Sequence, residues 1–280
     1  MKTILFTNAR DEADILEWVI HHHNIRFDQI YITDHKSQTP IHNIVEHIPN
    51  VFVRRLDCET VLKNNLISEA VKYANDNHYD WMLYLDADEF LILPNDKNVQ
   101  SFLHKYEDFD MIAMNWLLFG SNYHNQKPQG TILENYTRCE PQFNVHIKSF
   151  VRPLCVVRVP SDGGPHVYVI REFDRAVGTN KIQMIKAHPH FFNQLGHMAN
   201  VEDINKNSAY VAHHIFQCFE TYQQRKVFRK RDDNNEDWSW KFNDTEIHKH
   251  YNQIENRYPC EKYNEKNKKV MDFYKQLQEK

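Results

Sequence analysis

The chain has 280 residues and a mass of 33.7 kDa, enough for one large domain or a domain with a substantial C-terminal appendage. A hydrophobic fraction of 41% with 13% aromatics supplies a core, and a formal charge of -4 argues against a dedicated nucleic-acid binder. There are only 6 glycines and no GxGxxG or GxxxxGKS/T, which excludes a glycine-rich phosphate cradle; the 5 scattered cysteines, without a CxxC pair, exclude a disulfide framework and argue against structural zinc.

In chain order, Thr3 to Thr7 reads as a short apolar strand. Asn8, Arg10, Asp11 and Glu12 end that apolar run too early for the roughly 7–15 residues of a signal-peptide core. No stretch approaches the ~18 apolar residues of a membrane span, so the chain is expected to be soluble and cytoplasmic, with no integral membrane segment. Asp11 to His23 has helical spacing through Ala13, Leu16, Trp18, Val19 and Ile20. Strands are predicted at Asp28 to Thr33, Val51 to Leu56 and Trp81 to Leu85, with helices at Thr60 to Asn75 and Val99 to Tyr106. Strands alternating with helices predict an α/β fold with a largely parallel sheet flanked by helices. From Met111 the pattern changes to short β segments at Met111 to Asn115, His146 to Val151, Cys155 to Val159 and Val167 to Ile170, a mixed extension of the sheet. Helix is predicted again from Phe219 to Arg231 and from Glu261 to the end. The expected organisation is a domain over 1–218 and a helical extension over 219–280 packed on it.

The segment Tyr84-Leu85-Asp86-Ala87-Asp88-Glu89-Phe90 carries the chemistry. An apolar strand delivers two carboxylates to its C-terminal end, and an extended backbone would point residues i and i+2 the same way. Two anionic oxygen donors suit Mn2+ or Mg2+ with phosphate oxygens completing the shell, and the carboxyl edge of an open α/β sheet is where ligands bind. An arbitrary DxD is more often a solvated acidic turn; the apolar run before it and the Glu89-Phe90-Leu91 after it favour the site. The 18 histidines make any single one more often structural than a ligand, and His21-His22-His23 diverge around a helix and cannot converge on one ion.

Several motifs together resemble glycosyltransferases of the GT-A fold, in the family 2-like group and especially family 92. They are Asn8-Ala9-Arg10-Asp11-Glu12-Ala13-Asp14-Ile15-Leu16-Glu17-Trp18; His22; Phe27-Asp28; Ile30-Tyr31-Ile32; Asp34 through Ser37; the Asp86-Ala87-Asp88-Glu89-Phe90 block; Trp116, Phe119-Gly120-Ser121 and His124; Lys148 through Arg152-Pro153; and His214 leading to Glu220 and Lys226. The resemblance runs over about residues 3–231. It departs at Arg26, where the family often has Gly, and at His213-His214-Ile215-Phe216-Gln217-Cys218, where a family-like Lys is missing.

The resemblance implies a metal-dependent, inverting transfer of a hexose, galactose favoured, from a UDP-sugar donor to a glycan or other hydroxyl acceptor. It implies that Thr7, Asn8, Arg10, Glu12, Asp34, Lys36, Asp86, Ala87 and Lys226 surround the nucleotide sugar. Asp86, Asp88 and His214 would hold the metal, with His213 the alternative by one residue. Glu89, Trp116, Ser121, His124 and His166 are expected near the donor or acceptor sugar. Asp162 and Glu220 are the candidates for the base that takes the acceptor's proton. Phe216 to Asp237 is expected to order over the donor, with Lys226, Arg229 and Arg231 approaching its diphosphate. Two other functions fit the DxD: a phosphoryl-transfer enzyme using it as nucleophile and acid, and a non-catalytic sugar-nucleotide-binding protein.

Overall fold

Alternate side chains of the first strand, β1 (Thr3–Ala9), go into two different hydrophobic layers. Leu5 and Ala9 join the larger core with Trp18, Val19, Ile30 and Leu83. Ile4 and Phe6 join a second core with Ile67, Ala70 and Ala74. A strand apolar on both faces is what a sheet covered on both sides requires. The structure, a computed structural model, describes residues 1–59, 62–160, 166–181, 209–227, 244–249 and 251–278.

The strands in chain order are β1, β2 (Gln29–His35), β3 (Val51–Leu56), β4 (Trp81–Tyr84), β5 (Glu89–Ile92), β6 (Met111–Leu118), β7 (Arg138–Cys139), β8 (Ile147–Val151), β9 (Val156–Arg158), β10 (Val169–Ile170), β11 (Ala176–Gly178), β12 (Tyr210–His213) and β13 (Ile254–Glu255). The main sheet runs β3-β2-β1-β4-β8-β6-β12-β5, with β11 on β6. The β1, β2, β3 and β4 pairings are parallel, β8 is antiparallel to both β4 and β6, and β12 is parallel to β6 but antiparallel to β5. The helices that cover the sheet include α1 (Ile15–Asn24), α2 (Ile41–Val45), α3 (Lys63–Asp76), α4 (Val99–Leu103) and α5 (Ile132–Asn135), and a C-terminal helix spans Glu265–Gln278. The expected α/β architecture, with its mixed, largely parallel sheet and C-terminal helical segment, is the one observed.

Boundaries differ where backbone geometry intervenes. The first helix begins at Ile15 rather than Asp11 because Asp11 takes φ 50 and turns the chain. β6 extends to Leu118, past the expected Asn115, since Trp116, Leu117 and Leu118 pair with β12. The C-terminal helix is tied to α1, Asn24 Nδ2 donating to Asn267 Oδ1 at 2.9 Å, and Tyr263, just before that helix, accepts at Oη from Leu93 N, just after β5, at 2.9 Å. His21 and His22 are structural, hydrogen-bonded to Leu91 O and Trp18 O at 2.8 Å each.

At Arg26, where the resembled family often carries Gly, the backbone sits at φ 67, just past the end of α1. An L-residue with a side chain pays about 1–2 kcal/mol for that conformation, partly offset by glycine's extra chain entropy of roughly 0.5–1 kcal/mol. Arg26→Gly is therefore expected to stabilise by about 0.5–1 kcal/mol in urea denaturation; a loss of stability would show that the Arg26 side chain contributes more than its strain costs.

Glu17 faces inward from α1 and accepts Ile132 N at 2.6 Å and Leu133 N at 3.2 Å, filling the open amides at the start of α5. Burial pushes its pKa up to about 7, with Asp14 adding to the rise and the two amides and Lys127 opposing it. A folded pKa above the unfolded value gives stability that is present below the unfolded pKa and lost as pH rises through the folded one. The wild type should thus lose on the order of 3 kcal/mol between about pH 4.5 and 8 from this group. Glu17→Gln should flatten that slope, whatever fixed cost its amide brings; parallel pH profiles of thermal unfolding in the two proteins would refute the assignment.

Candidate functional site

Three parallel strands, β2, β1 and β4, end at one edge of the sheet, and the acidic segment follows the last of them. The backbone does not stay extended there. Glu89 N donates to Asp86 O at 3.0 Å, so residues 86–89 form a tight turn that reverses the chain into β5. Asp86 and Asp88 are brought together by this turn rather than by strand alternation, and Asp88's charge is felt at Asp86.

Each carboxylate meets a cation. Lys63, the first residue of α3, pairs with Asp86 Oδ1. Lys148 Nζ, fully buried in β8, lies 3.1 Å from Asp86 Oδ2 and 3.1 Å from Glu89 Oε2. Glu89 Oε2 also accepts Asp86 N at 2.8 Å. Arg225, from the π-helical turn Gln223–Val227, reaches Asp88 Oδ2 at 2.8 Å and Glu12 Oε2 at 3.3 Å. Burial opposes ionisation of Asp86, but Lys148 and Lys63 overcome it and hold the carboxyl far below the usual range. Burial is also the largest influence on Glu89 and prevails, raising it to about 7. Lys148 stays protonated: burial opposes its charge, and Asp86 and Glu89 more than restore it.

His213, the last residue of β12, and His214, just after it, point to opposite faces. His213 pairs with Glu89 in the sheet register and places Nε2 3.5 Å from Asp88 Oδ1 and Nδ1 3.8 Å from Glu89 Oε1. His214 packs its ring on Phe119 at 4.6 Å and edge-on to Phe90 at 5.6 Å, and neither of its ring nitrogens has a hydrogen-bond partner among the described residues. Burial lowers its pKa to about 3. The expectation that His214 faces the acidic pair is thus corrected by one residue; a strand's two-residue period gives that place to His213.

Trp116 and His166 border the same turn. The Lys148 ammonium lies 5.7 Å from the Trp116 ring centroid, and Trp116 carries His146 stacked at 4.9 Å and His213 edge-on at 4.4 Å. His166 Nδ1 donates to Ile147 O at 2.7 Å, and burial with Lys148 nearby keeps the ring neutral, its pKa lowered to about 3. A neutral ring donating through Nδ1 carries a lone pair on Nε2, an acceptor suited to a hydroxyl.

At the ends of β1 and β2 the expected nucleotide contacts are partly engaged. Asn8 Oδ1 accepts from Tyr84 Oη at 3.1 Å, and Thr7 is buried. Asp34 accepts Ser37 N at 3.0 Å, Ile41 N at 3.1 Å and Arg55 Nη1 at 3.1 Å, so it organises its own loop. Arg10 lies 4.0 Å from Asp11, Lys36 pairs with Glu59, and Ala87 is buried in the acidic turn.

Other expected site residues are engaged in further hydrogen bonds and ring contacts. Ser121 Oγ is 2.8 Å from His248 Nδ1 and accepts Asn252 Nδ2 at 3.1 Å, in a pocket where Gly120 leaves room for Asn252. His124 lies 5.9 Å from the Tyr136 ring, and Glu220 Oε2 accepts Lys127 N at 3.1 Å. Asp162, Arg229, Arg231 and the side chain of Lys226 lie outside the described residues. Of the helix expected from Phe219 to Arg231, Phe219–Tyr222 is α-helical and Gln223–Val227, which carries Arg225, is π-helical; the remainder lies outside the described residues.

The residues present do not fit a preformed divalent-cation site. Both oxygens of Asp86 are taken by lysines, Asp88 is taken by Arg225, and among the described residues no group of three or more His, Cys, Asp or Glu converges as a cage. An incoming ion would bring two more positive charges to carboxylates that already hold three cations. Sequence reading missed Lys63 and Arg225 as site residues, whereas Lys148 carried a signal: a lysine within a strand of otherwise buried residues needs an anionic partner.

No family model matches the sequence, and no curated protein matches it. Among solved structures the chain is similar to residues 1–349 of S. aureus TarS, with 15% identity over 58% of this chain and 51% of that one and a TM-score of 0.40. It is similar to the same part of TarS in complex with UDP-GlcNAc, with 15% identity, coverage of 55% and 46%, and a TM-score of 0.38. It is also similar to a cytidylyltransferase from Leptospira borgpetersenii, with 15% identity, coverage of 55% and 61%, and a TM-score of 0.28. The chain spans about half the length of the TarS structures it matches. Among the described residues no helix is long and apolar enough to cross a membrane.

Proposed function

We propose that this chain is a glycosyltransferase of GT-A type that moves a hexose, galactose favoured, from a UDP-sugar to a glycan or other hydroxyl acceptor with inversion. The observation that carries the reading is the acidic turn Asp86–Glu89 at the carboxyl edge of β2, β1 and β4, beside Asn8, Glu12 and a bank of cations. A ligand with a polar base, a diol and two phosphates matches that edge. Backbone groups at Thr7 and Asn8 address the base and ribose, and the basic side chains around Asp86 and Asp88 address the diphosphate. Trp116 offers a ring face to the sugar, and His166 Nε2 accepts from one of its hydroxyls. The acceptor hydroxyl attacks the anomeric carbon as the nucleoside diphosphate departs, and its proton goes to Asp162 or Glu220. A pH–rate profile of Asp162→Asn and of Glu220→Gln separates the two.

The test is turnover of a panel of UDP-sugars by the full chain, with and without Mn2+, followed as release of UDP. Release that depends on an added hydroxyl acceptor supports the reading. Binding without release points to a sugar-nucleotide-binding protein, and phosphate release from phosphomonoesters points to phosphoryl transfer.

A further inference from the structure

Lys63 stands at the first position of α3, where the helix dipole disfavours a cation, and no acidic residue in the first turn offsets it. Its side chain is 30% exposed at the open side of the turn, on Asp86 Oδ1. Arg225 reaches both Asp88 and Glu12, with its own side chain only 12% exposed. Its Nη1 is buried and has no hydrogen-bond partner among the described residues. A charged N–H shielded from water and given no acceptor is costly unless a ligand completes it. An anionic oxygen is the acceptor that fits a guanidinium already hydrogen-bonded through Nη2 to Asp88, and a phosphate supplies several.

We propose that Lys63 and Arg225 neutralise the leaving nucleoside diphosphate directly, so that donor binding requires no divalent ion on Asp86 and Asp88. This rests on the UDP-sugar reading above and changes the task of the acidic pair: Asp86 and Asp88 hold cations in position for the diphosphate. Lys148, fully buried between Asp86 and Glu89, fixes the acidic turn from beneath. The two roles of the pair differ in sign. If Asp88 holds a metal, removing its charge removes diphosphate affinity. If Asp88 holds Arg225, removing its charge frees a cation, and affinity for the diphosphate is kept or raised.

The experiment is calorimetry of the full chain with UDP and with uridine, in EDTA and in Mn2+, for the wild type, Asp88→Asn, Lys63→Met and Arg225→Gln, with thermal melts confirming that each variant folds. UDP is expected to bind in EDTA within about twofold of its affinity in Mn2+. Lys63→Met and Arg225→Gln should each weaken UDP by about tenfold and leave uridine unchanged. Asp88→Asn should bind UDP at least as tightly as the wild type. UDP binding that requires Mn2+ and is lost in Asp88→Asn overturns the proposal while leaving the UDP-sugar reading intact. UDP binding unaffected by both cation substitutions also overturns it. Failure of the wild type to bind UDP or uridine in either buffer overturns the UDP-sugar reading, and this proposal with it.

Discussion

Arg225→Gln is expected to lower kcat/KM with a UDP-sugar donor by about 10²–10³-fold. As the glycosidic bond breaks, negative charge grows on the departing diphosphate, and a cation already in place stabilises that charge without reorganising. Arg225 is held in place: Glu12 and Asp88 grip it from two sides, 3.3 Å and 2.8 Å away. Glutamine keeps some hydrogen-bonding capacity and removes the charge, so about 2.7–4 kcal/mol of transition-state stabilisation should go. It also leaves Asp88 and Glu12 without their shared cation, and their charges then repel the diphosphate. Arg225→Lys, which keeps the charge and loses the fork, should recover part of the rate. Steady-state kinetics with thermal melts on the same samples is the measurement; a rate within about threefold of wild type in a folded Arg225→Gln protein would exclude this role.

The sheet was legible where apolar runs were long and flanked by helical spacing. Val51 to Leu56 was expected and found without change, because alternation on an edge strand marks its own limits. β5 and β12 were not legible. Nothing in Asp86-Ala87-Asp88 signals a chain reversal, since no Gly or Pro stands there, and the run through Leu91 reads as the end of one strand rather than the start of another. The short β12 gains its strand character from pairing with β6 and β5, a tertiary influence that local pattern does not carry. The same limit produced the His213–His214 displacement, because a one-residue change of register exchanges the two faces of a strand. Glu89 was legible as a residue near the acidic pair, but its bond to the Asp86 amide depends on the turn. Lys63 and Arg225 are remote from the turn in sequence and lie in polar surroundings, where a cation is ordinarily solvated; only the fold brings them to the carboxylates.

Lys148→Met should cost about 3–5 kcal/mol of stability, the usual loss when one partner of a buried ion pair is removed. Methionine, unbranched and adaptable, fills the volume of the lysine stem, so the loss reports the charge rather than a cavity. Asp86 retains Lys63 at the open side, but among the described residues no lysine or arginine then lies within ion-pair distance of Glu89. Glu89 then stays buried with its charge uncompensated, and it relieves this by binding a proton. Its pKa, already about 7 with Lys148 in place, must rise further in the variant. A raised folded pKa gives stability present at low pH and lost as pH rises through that value. The deficit of Lys148→Met should therefore be smaller near pH 5.5, where Glu89 is protonated in both proteins, and larger near pH 8, where the wild type carries the ion pair. Glu89→Gln in the Lys148→Met background should remove the extra loss at the higher pH, because a neutral amide has no charge to leave uncompensated. Urea denaturation of the three proteins at the two pH values tests this directly; a deficit of under about 1 kcal/mol at both would mean that Lys148 is not the cation that holds the acidic turn.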